Sequence, residues 1–450
     1  PIVAKRPEFE LGCSALSGLD TPAALTAYNY FKDDISKIKK ANSRKIASID
    51  TINALYGEIP SLTASRVDLF NTCRFAFFMR HGLKAKPRKK AEFATPQTGT
   101  FIHYVLENTL NEITKQFGSA KNIKDQDTDK IKQIMQDCIE NYIKEYLGGS
   151  LEKQTARFRY LFKRLVKTME SILQNVLDEL KVSDFMPIDY ELKFGFNGDL
   201  PEIKCSDDEN AITLSGTADR VDGYIKNGKL NIRVMDYKSG TKSFSLNDIW
   251  NGLNLQMILY LYAIQQNGLE HYKNKLNQNI DEINPAAVLY IPTKEQLLDL
   301  DQNQPDEVIK TLREKALKRS GLVCDDVSIL DAMENGIEDK SKFLPVKFKT
   351  PKPTKKNPEP TPELTVTSAI ASLEKFGKLA RFAQDKLLEM AKEMKTGDIP
   401  AAPCKQGQSV RCDYCEYKSA CKFDETLGDY IRALDNIKDD EFWDKIGGDE

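Results

Sequence analysis

Gly216-Thr-Ala-Asp219-Arg-Val-Asp-Gly-Tyr-Ile-Lys-Asn227-Gly228-Lys-Leu-Asn-Ile-Arg-Val-Met-Asp236-Tyr-Lys238 is the stretch on which the reading of this 450-residue chain turns. Asn-Gly between alternating residues is the strongest short-range signal for a two-residue hairpin turn. With Asn227 and Gly228 as the turn, Lys226 pairs with Lys229, and Asp219 falls opposite Asp236. Cross-strand partners point to one side of a sheet, about 5 Å apart. Lys238 lies two residues beyond Asp236 and shares its side. Leu230, Ile232 and Val234 run on the face of Asp236, and Val221 and Ile225 on that of Asp219. The acids therefore end an apolar stripe that faces a core.

Two carboxylates so placed repel unless a cation lies between them. Carboxylate oxygens suit Mg²⁺ or Mn²⁺. Such an ion activates water and polarises a phosphoryl oxygen, and a neighbouring ammonium stabilises the charge that develops. Two aspartates and a lysine in this pattern predict phosphodiester cleavage.

The same residues resemble the PD-(D/E)XK nuclease signature in its RecB-type form. Gly216-x-x-Asp219-Arg-x-Asp222 and Asp236-Tyr-Lys238-Ser-Gly240 are close to the family's wording. Gly252-Leu-Asn-Leu-Gln256-Met-Ile-Leu-Tyr260 is similar to its Gln-x-x-x-Tyr helix, and Gly99-Thr-Phe-Ile-His103 to its Gly-x-x-x-His helix. The resemblance implies an α/β restriction-endonuclease-like core, with a mixed central sheet and flanking helices. It implies a metal on Asp219, Asp236 and His103, Lys238 as the catalytic lysine, and Gln256 and Tyr260 bordering the site. Glu191, on the alternating stretch 188–196 before the hairpin, is a further candidate acid.

Cysteine usage adds a second centre. Nine cysteines include Cys412-x2-Cys415-x5-Cys421, a spacing that lets thiolates turn onto one metal or cluster. An odd count in a large chain without a visible signal peptide speaks against a disulfide framework and for a cytoplasmic location. A fourth ligand is either the local Cys404 or the distant Cys73, and spacing alone leaves both open, as it does zinc against iron–sulfur. A lone upstream cysteine followed by three after the core is similar to the iron–sulfur nucleases of the RecB family. The Cys73-x-x-x-Phe-Phe context resembles the AddB family, the B subunits of bacterial ATP-dependent helicase/deoxyribonucleases. That resemblance implies a 4Fe-4S cluster on Cys73, Cys412, Cys415 and Cys421, forming a cluster-bound flap. It also implies an exonuclease acting on DNA in double-strand-break repair and recombination, beside an AddA-like helicase-nuclease partner. A stand-alone or CRISPR-associated nuclease and a catalytically silent DNA-binding module are the rival readings.

With 65 basic and 67 acidic residues the net charge is −2, so DNA would have to meet a local patch. Lys84, Lys86, Arg88, Lys89 and Lys90 are the candidate. No run is apolar enough for a membrane span. The sequence shows no Gly-x-x-x-x-Gly-Lys-Ser/Thr loop for an ATP site, and the lack of His-Glu-x-x-His and of Gly-x-Ser-x-Gly counts against zinc-protease and serine-hydrolase readings. A first residue of proline suggests a piece of a longer chain. Organisation reads as a helical flank over 1–60, the nuclease core over 61–300 and a charged, Pro/Lys-rich insertion over 301–365. Helix and cysteine region follow over 366–450. Helices are expected over 99–180, about 246–265 and about 366–395, with a buried strand at 286–291.

Overall fold

The computed structural model describes residues 44–86, 95–152, 154–238, 244–293, 305–350, 363–365, 367–407, 409–425 and 429–447, together with Pro22 and Thr26. Arg88, Lys89 and Lys90, most of the expected N-terminal flank and residues 351–362 of the Pro/Lys-rich stretch lie outside the described residues. The chain forms two compact units. One gathers residues 1–59, 69–87 and 390–434; the other comprises 60–68, 88–389 and 435–450.

The larger unit is built on an eight-stranded mixed sheet. Its strands are β1 (Ser61–Thr63), β2 (Met186–Phe194), β3 (Ile203–Ser206), β4 (Ala211–Lys226), β5 (Lys229–Lys238), β6 (Glu282–Pro292), β7 (Ser320–Cys324) and β8 (Ile370–Ala371). The order is β1-β4-β5-β6-β7-β8, with β2 and β3 both pairing antiparallel to β4. β5 and β6 run parallel. β6 is apolar and buried from Ala286 to Ile291, as a strand covered on both faces should be. Asn227 and Gly228 take φ of 53° and 75°, the left-handed pair of a type I′ turn. Lys226 pairs with Lys229, and the register holds as far as Arg220 against Met235.

Among the described helices are α1 (Thr95–Phe117), α2 (Thr128–Tyr146), α3 (Ala156–Lys181), α4 (Leu246–Trp250), α5 (Gln256–Asn267) and α6 (Leu373–Lys395). The single helix expected over 246–265 is thus two. Gly252 and Asn254 sit at φ of 72° and 56°, which no helix continues. Asn254 instead donates to Asp248 Oδ2 at 2.7 Å. The helix expected from about 366 starts later, at Leu373, because Ile370 and Ala371 pair with β7 first.

The second face of the hairpin is also dry, and it is charged. Arg220, Asp222 and Arg233 are fully buried there, with Glu179 of α3 and Arg319 just before β7. Arg220 and Arg233 reach Asp222 at 2.9 and 2.8 Å, and Arg233 and Arg319 reach Glu179 at 3.2 and 2.6 Å. Three guanidinium groups face two carboxylates, so the loss of either acid strands further positive charge. Burial alone would raise the Glu179 carboxyl, but Arg319, Arg233 and Arg220 outweigh it and lower it to about 2. A depressed acid stabilises the fold above its unfolded value, roughly 4.3, and that contribution drains away as pH falls towards about 2. Glu179→Gln is expected to cost about 3–5 kcal/mol at neutral pH, the usual penalty for stranding buried charge. Urea unfolding at pH 7 measures it, and the variant should also lose stability less steeply between about pH 4.5 and 2. A loss under about 1 kcal/mol would contradict the network's role.

Candidate active site and cysteine cluster

The site forms where the hairpin ladder stops. Beyond Arg220 and Met235, the N–H of Tyr237 turns to the Asp219 carboxylate at 2.8 Å instead of to the facing backbone. Asp219 and Asp236, 8% and 3% exposed, are thereby set at the same end of the sheet. Burial first, and the Asp236 charge second, raise the Asp219 carboxyl to about 7. The second of these causes is the like-charge strain expected of neighbouring acids.

His103 comes from α1. Its Nε2 lies 3.2 Å from the Tyr237 carbonyl, which can only accept, so Nε2 carries a proton. Nδ1 then faces Asp219 at 3.5 Å and Glu191 at 3.6 Å. Burial pulls the imidazole down, but the Glu191 bond, the Asp219 charge and the Tyr237 carbonyl raise it to about 9. Glu191 reaches this position on β2 with φ of 47°. A left-handed non-glycine residue within a strand costs on the order of 1–3 kcal/mol and gathers at functional sites. His103, Glu191 and Asp219 offer ligand atoms all within 4.8 Å of one another.

The lysine is held from two sides. Lys238 Nζ stands 2.7 Å from Asp236 Oδ2 and donates to Gln256 Oε1 at 3.3 Å. Gln256 Nε2 donates to Asp236 Oδ1 at 3.2 Å, closing a ring among the three side chains. Gln256 opens α5, and Tyr260 follows one turn later on the same face. Tyr260 explains the glycine of the hairpin motif: a Cβ on Gly216 would lie 2.6 Å from the tyrosine ring and hydroxyl. Gly216→Ala must push Tyr260 and the Asp219 strand apart. A displacement of about 1 Å near reacting groups is worth up to a hundredfold, so a loss of nuclease rate of about ten- to a hundredfold is expected. Cleavage assayed beside a melting curve checks it; an unchanged rate would uncouple this packing from the site.

The smaller unit collects the cysteines. Cys73 caps a short helix, Arg74–Phe77, and packs with Phe75, Ala76, Ala401 and Tyr417. Cys415, Cys421 and Phe423 close over the same cluster. Cys412 stands close enough to Cys73 and Cys415 to feel their charge, and Cys421 to feel Cys73 and Cys412. Burial raises the thiols of Cys73, Cys412 and Cys421, the last to about 11. Cys404 looks elsewhere: its charged neighbours are Arg432 and Arg411, and it bonds the Thr72 side chain. Arg44 ties the cluster's rim by donating to Asp429 at 3.0 Å and to the Cys421 carbonyl at 2.8 Å.

Of the expected DNA patch, Lys84 and Lys86 are described, both exposed and both in the smaller unit, whereas the carboxylates and Lys238 belong to the larger one. Glu191 is legible in the sequence only as an alternating strand acid, and no signal there marks its left-handed backbone.

A mixed sheet whose central hairpin brings two aspartates and a lysine beside a helix histidine defines a nuclease of the phosphodiester-hydrolysing class. The model of the PD-(D/E)XK nuclease superfamily matches residues 61–422, and the chain belongs to that superfamily. Similar curated proteins include the ATP-dependent helicase/deoxyribonuclease B subunit of Clostridium perfringens (strain SM101 / Type A), 30% identical over 94% of this chain and 34% of the relative. The protein of that name from Clostridioides difficile (strain 630) is 32% identical over 92% of this chain and 34% of its own length. That of Clostridium tetani is 31% identical over 89% and 33%. The chain spans about a third of the length of these relatives. Among the described residues no helix is long and apolar enough to cross a membrane.

Proposed function

We propose that this chain is the nuclease portion of a helicase/deoxyribonuclease B subunit and hydrolyses DNA phosphodiester bonds. The observation that carries the reading is the convergence of Asp219, Asp236, Lys238 and His103 at the point where the hairpin ladder opens. The donor set fits a divalent metal. It offers hard carboxylate oxygens and an imidazole whose Nδ1 can yield its proton to a cation while Nε2 stays anchored on the Tyr237 carbonyl. Asp219, His103 and Glu191, whose ligand atoms lie together, would hold Mg²⁺ or Mn²⁺, with Asp236, the further ligand that the family resemblance implies, beside them on Lys238 and Gln256. When bound, the ion supplies Lewis-acid polarisation and a more acidic water. Asp236 holds Lys238 by charge and Gln256 holds it by hydrogen bond, so the ammonium is fixed where an attacking water or a phosphoryl oxygen would lie. Gln256 positions that lysine, and Tyr260 fixes the pitch of α5 against Gly216.

Cys73, Cys412, Cys415 and Cys421 would hold a 4Fe-4S cluster. What supports the set is that Cys415 and Cys421 pack on the buried cluster of Cys73 and that Cys412 lies near enough to Cys73 and Cys415 to feel their charge. A partner subunit in a helicase/deoxyribonuclease accords with the relatives' names, and exonuclease action, service in double-strand-break repair and the AddA-like character of that partner rest on the family resemblance of the motifs.

The test is release of acid-soluble label from linear DNA by protein purified without oxygen. Cleavage is expected with Mg²⁺ and none with EDTA. Cleavage that persists in EDTA, or a chain inert on both single- and double-stranded ends, would sink the reading.

A further inference from the structure

Residues 153–169 carry Lys153, Arg157, Arg159, Lys163, Arg164 and Lys167 and no acid, a local charge of +6 in a chain of net charge −2. The last five lie in the first half of α3, where all are exposed. Tyr160, 62% exposed, stands among them. At 100° per residue, Arg157, Arg159, Tyr160, Lys163, Arg164 and Lys167 occupy one side of the helix. Phe162, Met169, Leu173 and Val176, all buried, occupy the opposite one. None of the five cations has an ion-pair partner among the described residues. Lysines elsewhere do find carboxylates, as Lys115 finds Glu112 at 2.6 Å and Lys378 finds Glu374 at 2.7 Å. A helix face that concentrates unpaired cations repels itself, and a polyanion relieves that repulsion.

The buried side of the same helix packs on α1, the helix that carries His103. Phe162 of α3 meets Phe101 of α1 with ring centroids 5.0 Å apart, and Phe101 is two residues before His103. From Arg157 to Lys167 the stripe is about 15 Å long. One strand of B-form DNA carries about four phosphates in that length. An exposed tyrosine between cations is the pairing that single-stranded nucleic acid uses: phosphates on the charges, an unpaired base on the ring.

We infer that this face of α3 is a binding surface for a single DNA strand leading to the nuclease site. The inference rests on the proposed nuclease function for the direction of the strand, but not for the binding itself. Lys84–Lys90 is not needed for it.

Binding of the 450-residue chain to a fluorescein-labelled oligo-dT of about twenty nucleotides, followed by anisotropy in EDTA over a series of NaCl concentrations, tests it. Replacing Arg157, Arg164 and Lys167 together by glutamine should weaken binding at least tenfold at low salt. It should also flatten the slope of log K against log salt by about 2, at about 0.7 for each phosphate no longer neutralised. Tyr160→Ala should weaken binding fivefold or more and leave the slope unchanged. Circular dichroism melting verifies that both variants are folded. Unchanged affinity and slope, or a wild type that does not bind, overturns the inference. Poly-glutamate displacing oligo-dT at equal charge concentration also overturns it, in favour of an acidic protein partner. A chain that cleaves DNA yet binds it independently of the stripe removes this inference and leaves the nuclease. One that binds through the stripe and never cleaves removes the nuclease and leaves the surface.

Discussion

Asp236→Asn should leave a folded chain whose DNA hydrolysis in Mg²⁺ falls at least a hundredfold, about 2.7 kcal/mol of transition-state stabilisation. The substitution keeps the shape of a side chain that is 3% exposed and removes its charge and one acceptor oxygen. That one change acts in three places. The proposed metal site would lose a negative charge beside Asp219. Lys238 loses the partner at 2.7 Å that fixes its ammonium. Asparagine also offers one acceptor oxygen where aspartate offers two, so Gln256 and Lys238, which now take Oδ1 and Oδ2 separately, must compete for it. Lys238→Ala should cost as much, and the double variant little more than either single one, because groups that act as a unit are not additive. Lys238→Arg should not restore activity, since a planar fork does not replace a compact ammonium held by two acceptors. Fixed-enzyme release of nucleotides from linear DNA measures all four proteins. A single variant within tenfold of wild type, or a double variant that loses the product of both factors, would show that these residues do not work together.

That site is largely legible in the sequence because a two-residue turn fixes register and register fixes faces. Asn227-Gly228 is enough to place Lys226 against Lys229 and to bring Asp219 to Asp236's end of the sheet. What pattern cannot supply is where the ladder stops, since a side chain replacing a backbone acceptor, as Asp219 does for Tyr237, leaves alternation untouched. The buried arginines are hidden for a related reason. Alternation marks Arg220, Asp222 and Arg233 as the face away from the apolar stripe, and polar residues there read as wet. Their burial depends on Glu179 and Arg319, which are distant in sequence. Glu191 escapes because backbone strain has no composition. The basic face of α3 goes unread beside the denser Lys84–Lys90 run, whose arginine and last two lysines fall outside the described residues. A helical stripe spreads its charges three and four residues apart and so looks dilute in one dimension.

With the proposed 4Fe-4S cluster, anaerobically purified protein should be coloured and contain iron and sulfide, and Cys73→Ser should abolish all three and loosen the unit that holds residues 69–86 and 390–434. Cys412→Ser, Cys415→Ser and Cys421→Ser should do the same, and Cys404→Ser should not. The structure gives the reason for the contrast. Cys73 shares a buried cluster with Cys415 and Cys421, whereas Cys404 sits on a short strand beside Arg432 and Arg411. Besides that cluster, the early and late segments of this unit, more than three hundred residues apart, are joined through polar bonds. Among them are the Arg44–Asp429 pair, the Phe75 N–H on the Pro400 carbonyl at 3.2 Å, and the Tyr417 hydroxyl on the Ala85 carbonyl at 3.0 Å. A centre that joins such distant segments restricts the unfolded chain strongly, and binding to it is folding free energy for the part it holds. Limited proteolysis should therefore cut the serine variants within 390–434 at protease levels that spare the wild type. Iron, sulfide and zinc analysis of the same samples decides the chemistry. Stoichiometric zinc that disappears with Cys404→Ser would replace the cluster by a four-cysteine zinc site. Iron that survives Cys73→Ser would show that the distant cysteine packs in this core without serving as a ligand.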